Sequence, residues 1–119
     1  MSQPRVILVE DESLAALLME DMLRDLGCEV VASFESLSPA LEWLKGRADL
    51  PDGAVLDVNL GGEKVFPLAV ALEDRGIPFV FATGYGAVEC DRFANAPLLH
   101  KPVDPGALAP VIDRFGKRG

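Results

Sequence analysis

Gly53-Ala54-Val55-Leu56-Asp57-Val58-Asn59 is an apolar run that ends in a carboxylate, and the pair Gly61-Gly62 follows it. A short apolar run bounded by turn residues predicts a buried strand. Asp57 then sits where that strand surfaces. In open α/β sheets, ligands bind outside the carboxyl ends of the strands. Read alone, Asp57 is also well explained as an acid that starts a turn. The flanking sequence decides between these readings.

Upstream, Arg5-Val6-Ile7-Leu8-Val9 predicts a first strand, which ends at the acids Glu10-Asp11-Glu12. Ser13 is expected to cap the next helix, and acids before it suit the positive end of the helix dipole. Ala15, Leu18, Met19, Met22 and Leu26 recur at helical spacing, and Gly27 stops the helix. Glu29–Ala32 predicts a second strand. Ser36 or Ser38 can cap a second helix, with Pro39 near its first position and Leu41, Trp43 and Leu44 facing inward.

Downstream, a third helix begins near residues 64–66, with Val65, Leu68, Ala69 and Leu72 on one face and Gly76 at its end. Ile77–Ala82 predicts a fourth strand that runs into Thr83-Gly84-Tyr85-Gly86. Residues 87–96 are only weakly helical, so a fourth helix is expected to be short or mobile. Pro97–His100 predicts a fifth strand before Lys101-Pro102. Asp104-Pro105 then reads as the cap and first residue of a last helix with Leu108, Val111, Ile112 and Phe115 on its apolar stripe. Five strands alternating with five helices imply an α/β fold with a parallel sheet covered on both faces.

The 119 residues suffice for one domain and are too few for two, so 1–119 is expected to be a single unit with no separate output domain. Eleven basic and nineteen acidic residues give a net charge of −8. Such a chain is repelled by nucleic-acid backbones and anionic membrane surfaces. No apolar run approaches the ~20 residues of a membrane span, and the first residues lack a signal-peptide pattern. Cys28 and Cys90 are too few and unpatterned for a disulfide framework or a metal site. A cytoplasmic location is the expectation.

Four strands end in polar residues with chemical potential: Glu10 and Asp11, Asp57, Thr83, and Lys101. In the strand order 2-1-3-4-5 the first and third strands are neighbours, which crowds Glu10, Asp11 and Asp57 into one crevice. Crowded carboxylates repel unless a cation holds them. Hard oxygen ligands favour Mg²⁺, which is commonly bound by one or two carboxylates plus a phosphate. A carboxylate nucleophile, a divalent ion, a hydroxyl and an ammonium together suit phosphoryl transfer.

These residues, Glu10-Asp11, Asp57, Thr83 and Lys101-Pro102 on five βα units, resemble the receiver domain of bacterial response regulators over essentially the whole chain. The resemblance implies a flavodoxin-like (βα)5 sandwich in two-component phosphorelay signalling. It makes Asp57 the acceptor of a phosphoryl group from a histidine kinase or histidine phosphotransfer protein. It further implies Mg²⁺ bound by Asp11 and Asp57, by Glu10 through water, and by the main-chain carbonyl of Asn59. Thr83 would move toward the phosphoryl group, Lys101 would pair with it, and the Lys101-Pro102 bond would be cis. Receivers are not enzymes apart from Mg²⁺-dependent self-phosphorylation and autodephosphorylation.

Phe81-Ala82-Thr83-Gly84-Tyr85 is similar to the subgroup called FAT GUY regulators. Ordinary receivers carry an aromatic switch three residues before the lysine, where this chain has Leu98. That leaves Tyr85 as the candidate replacement beside Thr83. Gly61 stands where many receivers have Pro, an exchange expected to loosen the loop after Asp57. His100 is expected to be structural.

With no output module in view, the resemblance implies action by contact with a downstream protein, or as a phosphate sink, in a monomer or weak dimer. The alternative is a small haloacid-dehalogenase-like phosphatase with Asp57 as nucleophile. That family needs a second Asp two residues on, where this chain has Asn59. A flavodoxin would want a Ser/Thr/Gly-rich phosphate loop where this chain has acids.

Overall fold

The computed structural model describes residues 3–84, 88 and 90–115. In chain order the elements are β1 (Arg5–Val9), α1 (Ser13–Asp25), β2 (Glu29–Phe34), α2 (Leu37–Leu44), β3 (Gly53–Asp57), β4 (Asn59–Leu60), β5 (Glu63–Lys64), α3 (Phe66–Asp74), β6 (Phe79–Thr83), a 3₁₀ turn (Asp91–Phe93), β7 (Leu98–His100) and α4 (Pro105–Phe115). The main sheet has the order β2-β1-β3-β6-β7. All its pairings are parallel. This is the α/β flavodoxin-like fold, with the expected order once the separate β4–β5 hairpin is counted.

Alternate residues of each strand face opposite layers. Ile7, Val9, Ala54, Leu56 and Phe81 pack with Ala40 and Leu44 of α2 and with Leu68, Ala69 and Leu72 of α3. Val6, Leu8, Val55, Val80 and Leu99 pack with Ala16, Met19 and Leu23 of α1 and with Leu108, Ile112 and Phe115 of α4. Both faces of β3 are therefore covered, which is why its sequence is a continuous apolar run and not an alternating one. Gly53 is required where β3 begins: a Cβ there would lie 2.3 Å from Cγ of Phe115.

Register levels the strand ends. Val9 pairs with Leu56, and Asp57 with Ala82. Glu10 and Asp57, each one residue beyond the Val9–Leu56 pair, emerge side by side. Thr83 pairs with His100, which brings Lys101 to the same edge.

The structure corrects several local expectations. Ser13 is the first residue of α1 and does not cap it; Glu12 holds the cap position, with no side-chain cap hydrogen bond. The buried face of α1 is Ala16, Met19 and Leu23, while Leu18 is 57% exposed. Of the expected stripe, Met19 is buried and Met22 and Leu26 pack partly buried on the core, while Leu18 faces out and Ala16 and Leu23 fill the rest. Ser36 takes the cap position of α2, also without a side-chain cap bond. At α4, Asp104 does cap, accepting the Gly106 N–H at 3.1 Å.

Between β6 and β7 the described residues hold only the 3₁₀ turn Asp91–Phe93. Phe93 is buried there against Phe66, Phe79 and Phe81, with ring centroids 5.7–6.0 Å away. Phe93 thus joins the hydrophobic layer built by α2 and α3. Arg75 ties the two helices of that layer by donating to the carbonyls of Leu44 and Arg47.

Candidate functional site at the strand ends

β3 delivers Asp57, 8% exposed, and β1 delivers Glu10, 5% exposed; they are the buried charged residues among those described. Asp11, one residue further on, is exposed. Carboxylate oxygens of Glu10, Asp11 and Asp57 all lie within 4.8 Å of one another.

β7 delivers Lys101. Its N–H donates to the Thr83 carbonyl at 2.9 Å, which fixes the backbone beside β6. The Lys101-Pro102 peptide is cis. The Lys101 Nζ lies 2.5 Å from Glu10 Oε1 and 3.3 Å from Asp57 Oδ2. Thr83 ends β6, half-buried, and Leu98 is half-buried on β7. Tyr85 lies outside the described residues. His100 points its side chain outward from the edge strand.

Burial and the neighbouring Glu10 push the Asp57 carboxyl up to about 7, although Lys101 pulls the other way. For Lys101, burial lowers the pKa, but the hydrogen bond to Glu10 and the charges of Asp57 and Glu10 outweigh it, so the net shift is upward. The ammonium stays charged between two carboxylates that are themselves crowded. Cys28, by contrast, is a buried thiol pushed up to about 11 by burial, an inert packing residue.

The glycine pair after Asp57 has a defined place in the fold. Gly61 (φ 62°) and Gly62 (φ 98°) form the turn of the β4–β5 hairpin, a two-residue turn that requires positive φ at both positions. Asn59 opens β4, and its N–H donates to Asp57 Oδ1 at 3.4 Å. Gly61-Gly62 between two short runs is itself a hairpin signal, which the expectation of a loosened loop passed over.

Beside the acids opens a groove of about 470 Å³, lined by Ala15, Leu18 and Met22 of α1, by Pro102 and Val103, and by Glu10, Asp57 and Lys101. On the same helix Leu14, Leu17 and Leu18 are 64%, 55% and 57% exposed. A larger groove at the amino ends of β6 and β7 lies away from the carboxylates.

A donor set of three carboxylates plus a lysine suits a hard divalent cation next to a phosphoryl group. The pattern of the response regulator receiver domain matches residues 6–113. The chain belongs to the response regulator receiver domain family. Receiver domains bind Mg²⁺ through acidic residues, and the cluster of Glu10, Asp11 and Asp57 fits that ion. Among solved structures, SdrG from Sphingomonas melonis Fr1 is 39% identical to this receiver, with 97% of this chain and 98% of that one covered and a TM-score of 0.82. The BeF3-activated conformation of SdrG from Pseudomonas melonis Fr1, also 39% identical, covers 96% and 97% with a TM-score of 0.77. A response regulator receiver protein from Sinorhizobium medicae WSM419 is 27% identical, covers 98% of each chain and has a TM-score of 0.79. No curated protein matched the receiver chain. No helix among its described residues is long and apolar enough to cross a membrane.

Proposed function

We propose that this receiver is a phospho-signalling domain of the FAT GUY subgroup that takes a phosphoryl group on Asp57. The observation that carries the proposal is the convergence of Asp57, Glu10, Asp11 and Lys101 at one sheet edge, with the carboxylates within 4.8 Å and the ammonium within 3.3 Å of Asp57. Asp57, Glu10 and Asp11 would hold Mg²⁺, with the main-chain carbonyl of Asn59 as a further ligand. The ion, when bound, neutralises charge on phosphoryl oxygens and lets Asp57 ionise. In the transfer, an Asp57 carboxylate oxygen forms a bond to phosphorus as the bond from phosphorus to the donor's histidine nitrogen breaks. The electron pair returns to the imidazole. Lys101 pairs with the transferred group, and Thr83 donates a hydrogen bond to it. Hydrolysis by water restores the carboxylate and releases inorganic phosphate.

The donor is a histidine kinase or a histidine phosphotransfer protein. Leu14, Leu17 and Leu18 are its contact surface, since they are apolar and exposed on one helix and Leu18 lines the groove that holds Asp57. The readout runs through Thr83, with Tyr85 and Leu98 as the companion positions. The output is contact with a downstream protein or drainage of phosphate from a shared donor, in the cytoplasm, without nucleic acid. Neither the geometry nor the family supports the phosphatase alternative.

SdrG, the 39% identical neighbour, has a BeF3-activated conformation. Titrating this chain with beryllofluoride and Mg²⁺ should shift the backbone amide resonances around Asp57, Thr83 and Lys101. Unchanged spectra at saturating Mg²⁺ would refute the proposal.

A further inference from the structure

The hairpin after Asp57 is pinned by a side chain whose identity the phosphorylation reading leaves unused. Val58 and Leu60 are buried and anchor its first strand, while Asn59 between them is exposed. Its base is closed by the Val65 N–H donating to the Val58 carbonyl at 3.0 Å. Its tip is closed by the Gly62 N–H donating to Asn59 Oδ1 at 3.2 Å. The Asn59 side chain therefore turns along the hairpin, while its own N–H reaches Asp57 Oδ1. The turn also lies near the other acid: a Cβ built on Gly61 would be 3.7 Å from Asp11 Oδ2. One short hairpin thus bonds Asp57 and neighbours Asp11.

We propose that Asn59 is a positioning residue whose side-chain oxygen, by holding the Gly62 N–H, keeps the glycine hairpin closed beside Asp57 and Asp11 before the divalent ion arrives. Two successive glycines have wide backbone freedom. Without the pin, ion binding would have to order them, and the ordering would weaken affinity. A hydrophobic or truncated residue at 59 leaves the ladder bonds of β4–β5 but removes the tip closure. This inference rests on the reading of the acidic cluster as an Mg²⁺ site.

The test measures Mg²⁺ affinity by calorimetry, and exchange of the Gly62 amide by NMR, in the full chain and in Asn59→Ala and Asn59→Ser. The Ala variant should bind Mg²⁺ about fivefold more weakly, the equilibrium effect of about one neutral hydrogen bond, and its Gly62 amide should exchange faster. The Ser variant, which keeps a neutral oxygen acceptor, should retain most of both properties. Wild-type Mg²⁺ affinity in the Ala variant would overturn the proposal, and so would a Ser variant as impaired as the Ala one. An unmodified chain that binds no Mg²⁺ would instead refute the metal reading and remove the proposal with it.

Discussion

Lys101 is bound more closely to Glu10 than to Asp57: its ammonium lies 2.5 Å from Glu10 Oε1 and 3.3 Å from Asp57 Oδ2. The cation that would pair with a phosphoryl group thus rests, before phosphorylation, on a carboxylate wanted by the metal. Lys101 and a divalent ion compete for the same negative charge. Replacing Lys101 by Met should tighten Mg²⁺ binding about threefold, a modest effect because like charges at this distance are partly screened. The same variant should take up a phosphoryl group more slowly. Weaker Mg²⁺ binding in Lys101→Met would show that the lysine organises the acids and does not compete with the ion.

The raised pKa of Asp57 has a definite consequence for stability. With a folded-state value of about 7 against an ordinary 3.8, the native chain keeps a proton that the unfolded chain has released between those two pH values. Stability from this group therefore falls as pH rises from about 4 to about 7, and the penalty is complete above that. Asp57→Asn should raise the melting temperature by about 5 °C near pH 8, corresponding to about 1 kcal/mol, and should change it little near pH 3. Thermal denaturation at the two pH values checks the sign. A destabilised Asn variant near pH 8 would contradict it.

The leucine face of α1 separates chemistry from docking. Leu17→Glu places a charge on exposed apolar surface without touching Asp57. Labelling by acetyl phosphate should be preserved, while transfer from a phosphorylated protein donor should drop by tenfold or more, the order expected for loss of an apolar anchor at an interface. Equal rates from both donors, relative to the unmodified chain, would remove this face from the docking site.

Gly53 makes a prediction about packing alone. A methyl group there would meet the Phe115 ring at 2.3 Å. Gly53→Ala should destabilise the fold by about 2 kcal/mol, the usual range for overpacking a filled core. Denaturant titration would measure it. A shortened side chain at the same contact, Gly53→Ala with Phe115→Leu, should recover part of the loss.

The sheet was legible in the sequence because each strand carries its own punctuation: Val6–Val9 against Glu10, Ala54–Leu56 against Asp57, Phe79–Ala82 against Thr83. The adjacency of Glu10 and Asp57 followed from strand order, which the alternation of strands and helices restricts. The buried face of α1 was legible only in part: Met19, Met22 and Leu26 pack as expected, but Ala16 and Leu23 were passed over and Leu18 is exposed, since Leu14, Leu17 and Leu18 are as apolar as the residues that pack. Periodicity cannot choose a face when an exposed surface of the helix is as rich in leucines as the buried one. The β4–β5 hairpin was missed because family expectation treated Gly61 as a lost proline, whereas two glycines with positive φ make a tighter turn. The requirement for Gly53 was hidden because it depends on Phe115, sixty-two residues away in sequence.

The most direct test of the account is the location of the phosphoryl group. The chain would be incubated with acetyl phosphate and Mg²⁺, and the acyl phosphate trapped by borohydride reduction and mapped by peptide mass spectrometry. The account predicts one modified residue, Asp57, with no labelling in Asp57→Asn or when Mg²⁺ is chelated. Modification at another residue, or full labelling of the Asn variant, would contradict it.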